Sequence, residues 1–215
     1  MASGEQERVT AAVLIIGDEI LSGRTQDTNL RDIAKYLAVH GVDLAEARTV
    51  PDVHEEIIAA LDALRSRYAY VITTGGIGPT HDDITADAVA AAFGVELYEH
   101  PEIIELIEAR VRSRPGAVMN AAMRRMARVP VGGELERSSV AAPPGFTIGN
   151  VFVLAGVPTI MRAMLDDVGH RLRGGVVTVA RWTLRIRAIP DWSLCSRHWR
   201  RSRSTQSRRC IPKTG

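Results

Sequence analysis

Two pairs of adjacent acids offer the most distinctive chemistry in the sequence: Asp18-Glu19 and Asp82-Asp83. Each follows a segment containing glycine, Gly17 in the first case and Thr74-Gly75-Gly76-Ile77-Gly78-Pro79-Thr80 in the second. Glycines let a backbone take positive φ and approach a ligand closely. Exposed N–H groups in such a loop can cradle a phosphate or pyrophosphate. Carboxylates beside it would repel that ligand unless a cation intervenes, and Mg²⁺ commonly bridges carboxylates to phosphates. The competing use of each acid is a helix cap, since Asp favours a helix start. Ser22, Thr25, Asp27, Thr28 and Asn29 add hydroxyls, an amide and a carboxylate. They suit either hydrogen bonding to a sugar or pterin or capping of the next helix. His81 sits in the same region, and an exposed loop position accounts for it. The run Gly17 to Thr25 imitates a P-loop but fails: five residues separate Gly17 from Gly23, and Arg24 stands in place of lysine.

These groups need a scaffold, and the hydrophobic pattern supplies one. Ala12–Ile16, Ala69–Thr73 and Val151–Leu154 are short continuous apolar runs, the pattern of strands buried on both faces. A weaker strand is expected over Val42–Val50. Leu30, Ile33, Ala34, Leu37 and Ala38 recur at helical spacing, with Gly41 as C-cap and Asp27 or Thr28 as N-cap. A second helix is expected from Pro51-Asp52, with Asp52 and Glu55 in capping-box register and Val53, Ile57, Leu61 and Leu64 as its buried stripe. Further helices are expected over Ile84–Phe93, after Pro101, over Met119–Met126 and from Pro158, whose Met161 and Met164 read as core. Strands alternating with helices imply right-handed crossovers and a mostly parallel sheet covered on both faces. Gly17-Asp18-Glu19, Thr74-Gly75-Gly76 and Ala155-Gly156-Val157-Pro158 each follow a strong strand. In an open parallel sheet ligands bind outside the carboxyl ends of the strands, so these segments should gather at one edge.

The chain has 215 residues and a formal charge of +2, which conceals a split. Residues 173–215 hold 11 of the 27 Lys+Arg and one acid, Asp191, giving +10; the first 172 residues carry −8. All three tryptophans and both cysteines also lie in that tail. Residues 10–172 form the expected domain. The basic tail reads as disordered, as a frameshifted extension, or as a nucleic-acid arm built on Arg197-His198-Trp199-Arg200-Arg201. Of these, the frameshifted or spurious extension is preferred, and nucleic acid is not expected as a partner. No apolar run approaches the ~18 residues needed to span a bilayer, and the polar N-terminus shows no secretory signal, so a cytoplasmic protein is expected. Two cysteines 15 positions apart form no zinc spacing.

Taken together, three sets of motifs resemble the molybdopterin-binding, MoaB/Mog-type domain, in the branch found at the N-terminus of competence/damage-inducible protein A. They are Gly17-Asp-Glu-Ile-Leu-Ser-Gly23 with Asp27-Thr28-Asn29, Thr73 through Thr85, and Pro144-Gly145-Phe146 with Leu154-Ala-Gly-Val-Pro158. The resemblance implies a three-layer α/β sandwich, Rossmann-like, with a mostly parallel sheet. It implies Asp83, Asp82 and Asp18 as catalytic candidates, with Asp18 and Asp83 on a divalent metal. It also implies Gly17, Asp27, Asn29, Thr74, Gly75, Gly76, Gly78, Thr80, Gly156 and Pro158 around the bound cofactor.

The implied activity is a Mg²⁺-, Mn²⁺- or Co²⁺-dependent pyrophosphatase on ADP-ribose or an FAD-like substrate. The alternatives are molybdopterin adenylyltransferase, with molybdopterin as ligand, and a cofactor-binding module without turnover. The expected partner is a small pterin or nucleotide, and the protein is expected to be a homo-oligomer. Three departures matter. Ile77 and Asp82 replace the threonine and arginine usual in Mog-type enzymes, which favours the competence-protein branch, and Ala155 replaces a proline. No amidase-type region follows, so nicotinamide mononucleotide deamidation is not expected.

Overall fold

We describe residues 8–137 and 143–175 of a computed structural model. Every described residue belongs to one compact unit, and the readings of the basic tail beyond Gly175 lie outside the described residues.

Strand β1 (Thr10–Ile16), paired on both sides within the sheet, is buried along nearly its whole length. Successive side chains of a strand point to opposite faces, and here both faces are covered. Ala12, Leu14 and Ile16 enter one core with Ile57, Leu61, Leu64, Ala88, Val89, Ile103 and Ile107. Ala11, Val13 and Ile15 enter the other with Ile33, Leu37, Met161, Met164, Leu165 and Val168. That alternation makes a three-layer α/β sandwich. Met161 and Met164 are fully buried, as core.

One layer consists of α2 (Asn29–Val39) and α7 (Pro158–Val168); the other of α3 (His54–Arg65), α4 (Thr85–Phe93) and α5 (Pro101–Arg112). Short helices α1 (Asp18–Leu21) and α6 (Ala121–Arg125) complete the set. In the sheet, β2 (Asp43–Val50), β1, β3 (Tyr70–Thr74) and β8 (Val151–Leu154) run parallel. Beyond β8, β7 (Gly145–Ile148) and β6 (Glu134–Glu136) extend it antiparallel. A separate antiparallel pair joins β4 (Leu97–Glu99) to β5 (Arg128–Pro130).

Several local expectations are corrected. The second helix starts at His54, not Pro51, and no side chain caps it. Val53 has extended backbone, φ −120° and ψ 122°, which turns Asp52 away from a capping position. Val53 is 44% exposed, so the buried stripe is Ile57, Leu61 and Leu64. The helix expected over Met119–Met126 shortens to α6, capped by the Asn120 side chain accepting from the Met123 N–H. Gly17 leads directly into the single helical turn of α1.

Candidate functional site

Register brings the three expected segments to one edge. Ile15 pairs with Thr74, and Thr74 with Leu154. The chain therefore leaves β1, β3 and β8 at the same level of the sheet. Gly75 has φ 107°, and a Cβ there would land on the Ile16 carbonyl oxygen. Only glycine lets β3 pass this close to β1. A Cβ on Gly156 would lie 3.2 Å from the Gly75 Cα, so the β3 and β8 loops also touch.

Asn29 fastens these loops together. Its Nδ2 donates to Thr74 Oγ1 at 2.8 Å and to the Gly156 carbonyl at 2.7 Å. Thr74 Oγ1 in turn donates to the Ala155 carbonyl at 3.0 Å. Both side chains are buried, and Asn29 Oδ1 has no partner among the described residues. Thr85 Oγ1 donates to the Gly75 carbonyl at 3.0 Å and so ties the start of α4 to the same loop. Asp27 caps α2: its carboxylate accepts from the N–H groups of Asn29 and Leu30.

A cleft of about 520 Å³ opens where the loops meet. Of the candidate residues, Gly75, Gly76, Gly78, Asp83, Gly156 and Pro158 line it. Gly17, Asp18, Asp27, Asn29, Thr74, Thr80 and Asp82 do not; Asn29, Thr74, Thr80 and Asp27 hold the structure behind it. Glu19, rather than Asp18, brings the first acidic pair to the wall, folded back so that its carboxylate lies 2.6 Å from where a Gly17 Cβ would be. The remaining walls are largely apolar, with Ile77, Pro79, Met126, Val157 and Ile160 among them.

The second acidic pair diverges. Asp82 faces His81 at 2.7 Å in an exposed pair. Asp83 turns inward, its Oδ2 accepting from the Thr80 N–H at 2.7 Å and from the Thr80 hydroxyl. Both donors converge on one oxygen, which leaves Oδ1 for the cleft. Gly78 is small where the Asp83 carboxylate packs, 2.7 Å from an added Cβ.

Sequence reasoning missed Asp52. Its carboxylate accepts the Asp18 N–H at 2.9 Å. Burial pushes its carboxyl above the ordinary range, the Asp18 N–H opposes this, and the charges of Glu19, Asp18 and Asp82 push it further up. Four acids thus share one rim. Among the described residues no three His, Cys, Asp or Glu side chains converge to hold a metal ion. The described residues therefore do not form a cage built by protein alone; a cation shared with a ligand's phosphates would need only one or two carboxylates. Glu19 and Asp83 are the carboxylates on the cleft.

The fold and the cleft define a class: a three-layer α/β domain with a cleft beyond the carboxyl ends of its parallel strands. The chain belongs to the molybdopterin-binding domain family, because the profile described as "Probable molybdopterin binding domain" matches residues 12–174. A CinA-like protein of Citrifermentans bemidjiense is 41% identical over 160 residues, covering 73% of this chain and 38% of that protein. A protein of Aeropyrum pernix is 36% identical over 165 residues, covering 75% of this chain and 61% of its own length. The chain thus spans less than two thirds of either relative. The crystal structure of the protein CinA from Thermoplasma acidophilum, a protein of unknown function, superposes with a TM-score of 0.70 at 29% identity, over 76% of this chain and 98% of that one. Among the described residues no helix is long and apolar enough to cross a membrane.

Proposed function

We propose that the domain, residues 10–172, binds a nucleotide or pterin pyrophosphate and hydrolyses its phosphoanhydride, on an ADP-ribose or FAD-like substrate. The observation that carries this reading is convergence: the Gly75-Gly76 loop, the Asp83 carboxylate and Glu19 line one cleft at three adjacent strand ends. Reaction at a phosphoanhydride needs alignment and charge stabilisation more than a covalent nucleophile.

Each part has a task in that chemistry. The apolar walls take the ring system and exclude water from it. The positive-φ backbone of Gly75 and Gly76 lets main-chain N–H groups approach the phosphates. Thr80 fixes the Asp83 carboxylate through two hydrogen bonds, so one oxygen keeps its orientation during turnover. Glu19 and Asp83 would hold a divalent cation, which when bound neutralises charge on the phosphates. Asp18 and Asp82 set the negative field of the rim.

Family membership favours a second reading, adenylyl transfer to molybdopterin in the same cleft. The test is a panel of ADP-ribose, FAD, and ATP with molybdopterin, each with Mg²⁺, Mn²⁺ or Co²⁺. AMP released from ADP-ribose, and lost in Asp83→Ala, supports hydrolysis. Adenylylated molybdopterin supports the transferase. Binding of these ligands without any product overturns both and leaves a cofactor-binding module.

A further inference from the structure

A cleft that takes phosphates should present positive charge, yet Glu19 and Asp83 are its only charged lining side chains among the described residues. A cation lies directly behind the glycine loop. A small cavity of about 20 Å³ shares Gly76, Ile77, Gly78, Asp83 and Met126 with the cleft, and Arg125 and Arg128 line it. The two arginines differ in one respect. Arg128 is neutralised by Asp87, with two contacts of 2.9 and 2.7 Å. Arg124, on the same short helix, pairs with Glu99. Arg125 makes no ion pair among the described residues.

What Arg125 does touch is the loop. Its Nη2 donates to the Asp83 carbonyl at 3.4 Å, a long contact, and its Nε is buried with no partner. A partly buried guanidinium without a carboxylate is costly, because desolvation of the charge is not repaid by an opposite charge. Arginine is also the side chain whose planar fork matches phosphate oxygens. Arg128 Nε is buried without a partner as well, so it is the absence of an ion pair that sets the Arg125 guanidinium apart, an uncompensated charge beside the Gly76–Gly78 segment that both cavities share.

We infer that Arg125 is the anion-recognition residue of the cleft: its guanidinium supplies the positive charge that the lining lacks and binds the ligand's pyrophosphate beside the Gly76–Gly78 loop. The inference rests on the phosphate-binding reading of the cleft but not on turnover. It assigns the discrimination of phosphorylated over unphosphorylated ligands to α6, an element outside the acidic and glycine-rich motifs. The neighbouring Arg124 and Arg128, being paired, do not share the task.

The test is titration calorimetry of inorganic pyrophosphate into the full chain and three variants. Arg125→Gln should weaken binding about tenfold to a hundredfold, the loss expected for one charge-assisted hydrogen-bonding partner. Arg125→Lys, which keeps the charge but not the fork, should weaken it less. Arg124→Gln removes the same charge nearby and should bind as the wild type does. A second measurement needs no variant: pyrophosphate should slow phenylglyoxal modification of Arg125, mapped by mass spectrometry, while leaving Arg124 unprotected. Pyrophosphate binding retained within about twofold in Arg125→Gln, an equal loss in Arg124→Gln, or no binding to the wild type would each overturn the inference. Pyrophosphate binding without hydrolysis of ADP-ribose would instead defeat the hydrolase reading and leave this one standing.

Discussion

Asn29 offers the sharpest test of how the cleft is held. Asn29→Ala deletes both donors, to Thr74 Oγ1 and to the Gly156 carbonyl, at a site only 5% exposed. Thr74 keeps its bond to Ala155, but the Gly156 carbonyl loses its amide. Two lost bonds and one buried acceptor left wanting should cost about 2–4 kcal/mol. Thr74→Val removes the shared hydroxyl and should cost about 1–3 kcal/mol. Because the two side chains touch, the double variant should fall short of the sum by about 0.5–1.5 kcal/mol. Asn29→Asp is a stricter probe. A carboxylate cannot donate to Gly156, and burial raises its pKa. Its deficit should therefore be largest near pH 8 and shrink as the solution is acidified and the carboxyl protonates. The assay is urea unfolding followed by far-UV circular dichroism, which follows the helices and strands themselves. Asn29→Ala within about 0.5 kcal/mol of wild type, or strict additivity with Thr74→Val, would refute the claim that this amide joins the loops.

Other expectations follow from the same geometry. Gly75→Ala should destabilise by more than about 2 kcal/mol and abolish ligand binding in calorimetry, since φ 107° and the Ile16 carbonyl both forbid a Cβ. Asp52 has its folded pKa raised, so its contribution to stability is fully present in acid, is lost as pH rises out of the ordinary carboxylate range, and levels off once the group is charged in both states. Asp52→Asn keeps an acceptor for the Asp18 N–H and should remove that slope from a series of urea melts between about pH 4 and about pH 8. Buried Glu136 accepts from Thr147 Oγ1 and faces Arg171 Nε at 3.2 Å, and burial raises its carboxyl while Thr147 and Arg171 oppose the rise. Arg171→Ala strands that charge and should cost about 3–5 kcal/mol at neutral pH, with Glu136→Gln restoring most of it in the same denaturation assay.

Much of the fold was legible because three of its four parallel strands, β1, β3 and β8, are short, largely apolar runs. Ala12 to Ile16 reads as a strand buried on both faces, which implies a helical layer on each side, and β1 is that strand. The antiparallel extension was not read. The strand Gly145–Ile148 has four residues, all buried, and Glu134–Glu136 has three, too short for a period. A local signal was present all the same: Ile148 faces Val151 across Gly149-Asn150, a two-residue hairpin turn between apolar runs. At the site, the glycine loop and Asp83 were legible from type and order. Asp52 was not: its spacing to Glu55 imitates a capping box, and only the extended backbone of Val53 reveals that it serves the first acidic pair. Asn29 was readable as a polar group near the ligand or as a cap. Its position as a buried tie between loops depends on contacts with residues 45 and 127 positions away. Arg125 reads in sequence as one of several surface arginines, and only the pairing of its neighbours singles it out.

The adjacency of β1, β3 and β8 in the sheet has a consequence for what the domain can select. Neighbouring strands stand about 4.8 Å apart, so the outer two loops are separated by roughly 10 Å at their roots. That interval is set by main-chain hydrogen bonds and not by any side chain of the loops. The sheet works as a ruler: substitutions can change which atoms meet a ligand, but not the distance it must reach. A molecule too short to touch both ends cannot engage the β1 acids and the β8 turn together. Length is therefore screened by the backbone before chemistry is screened by the side chains.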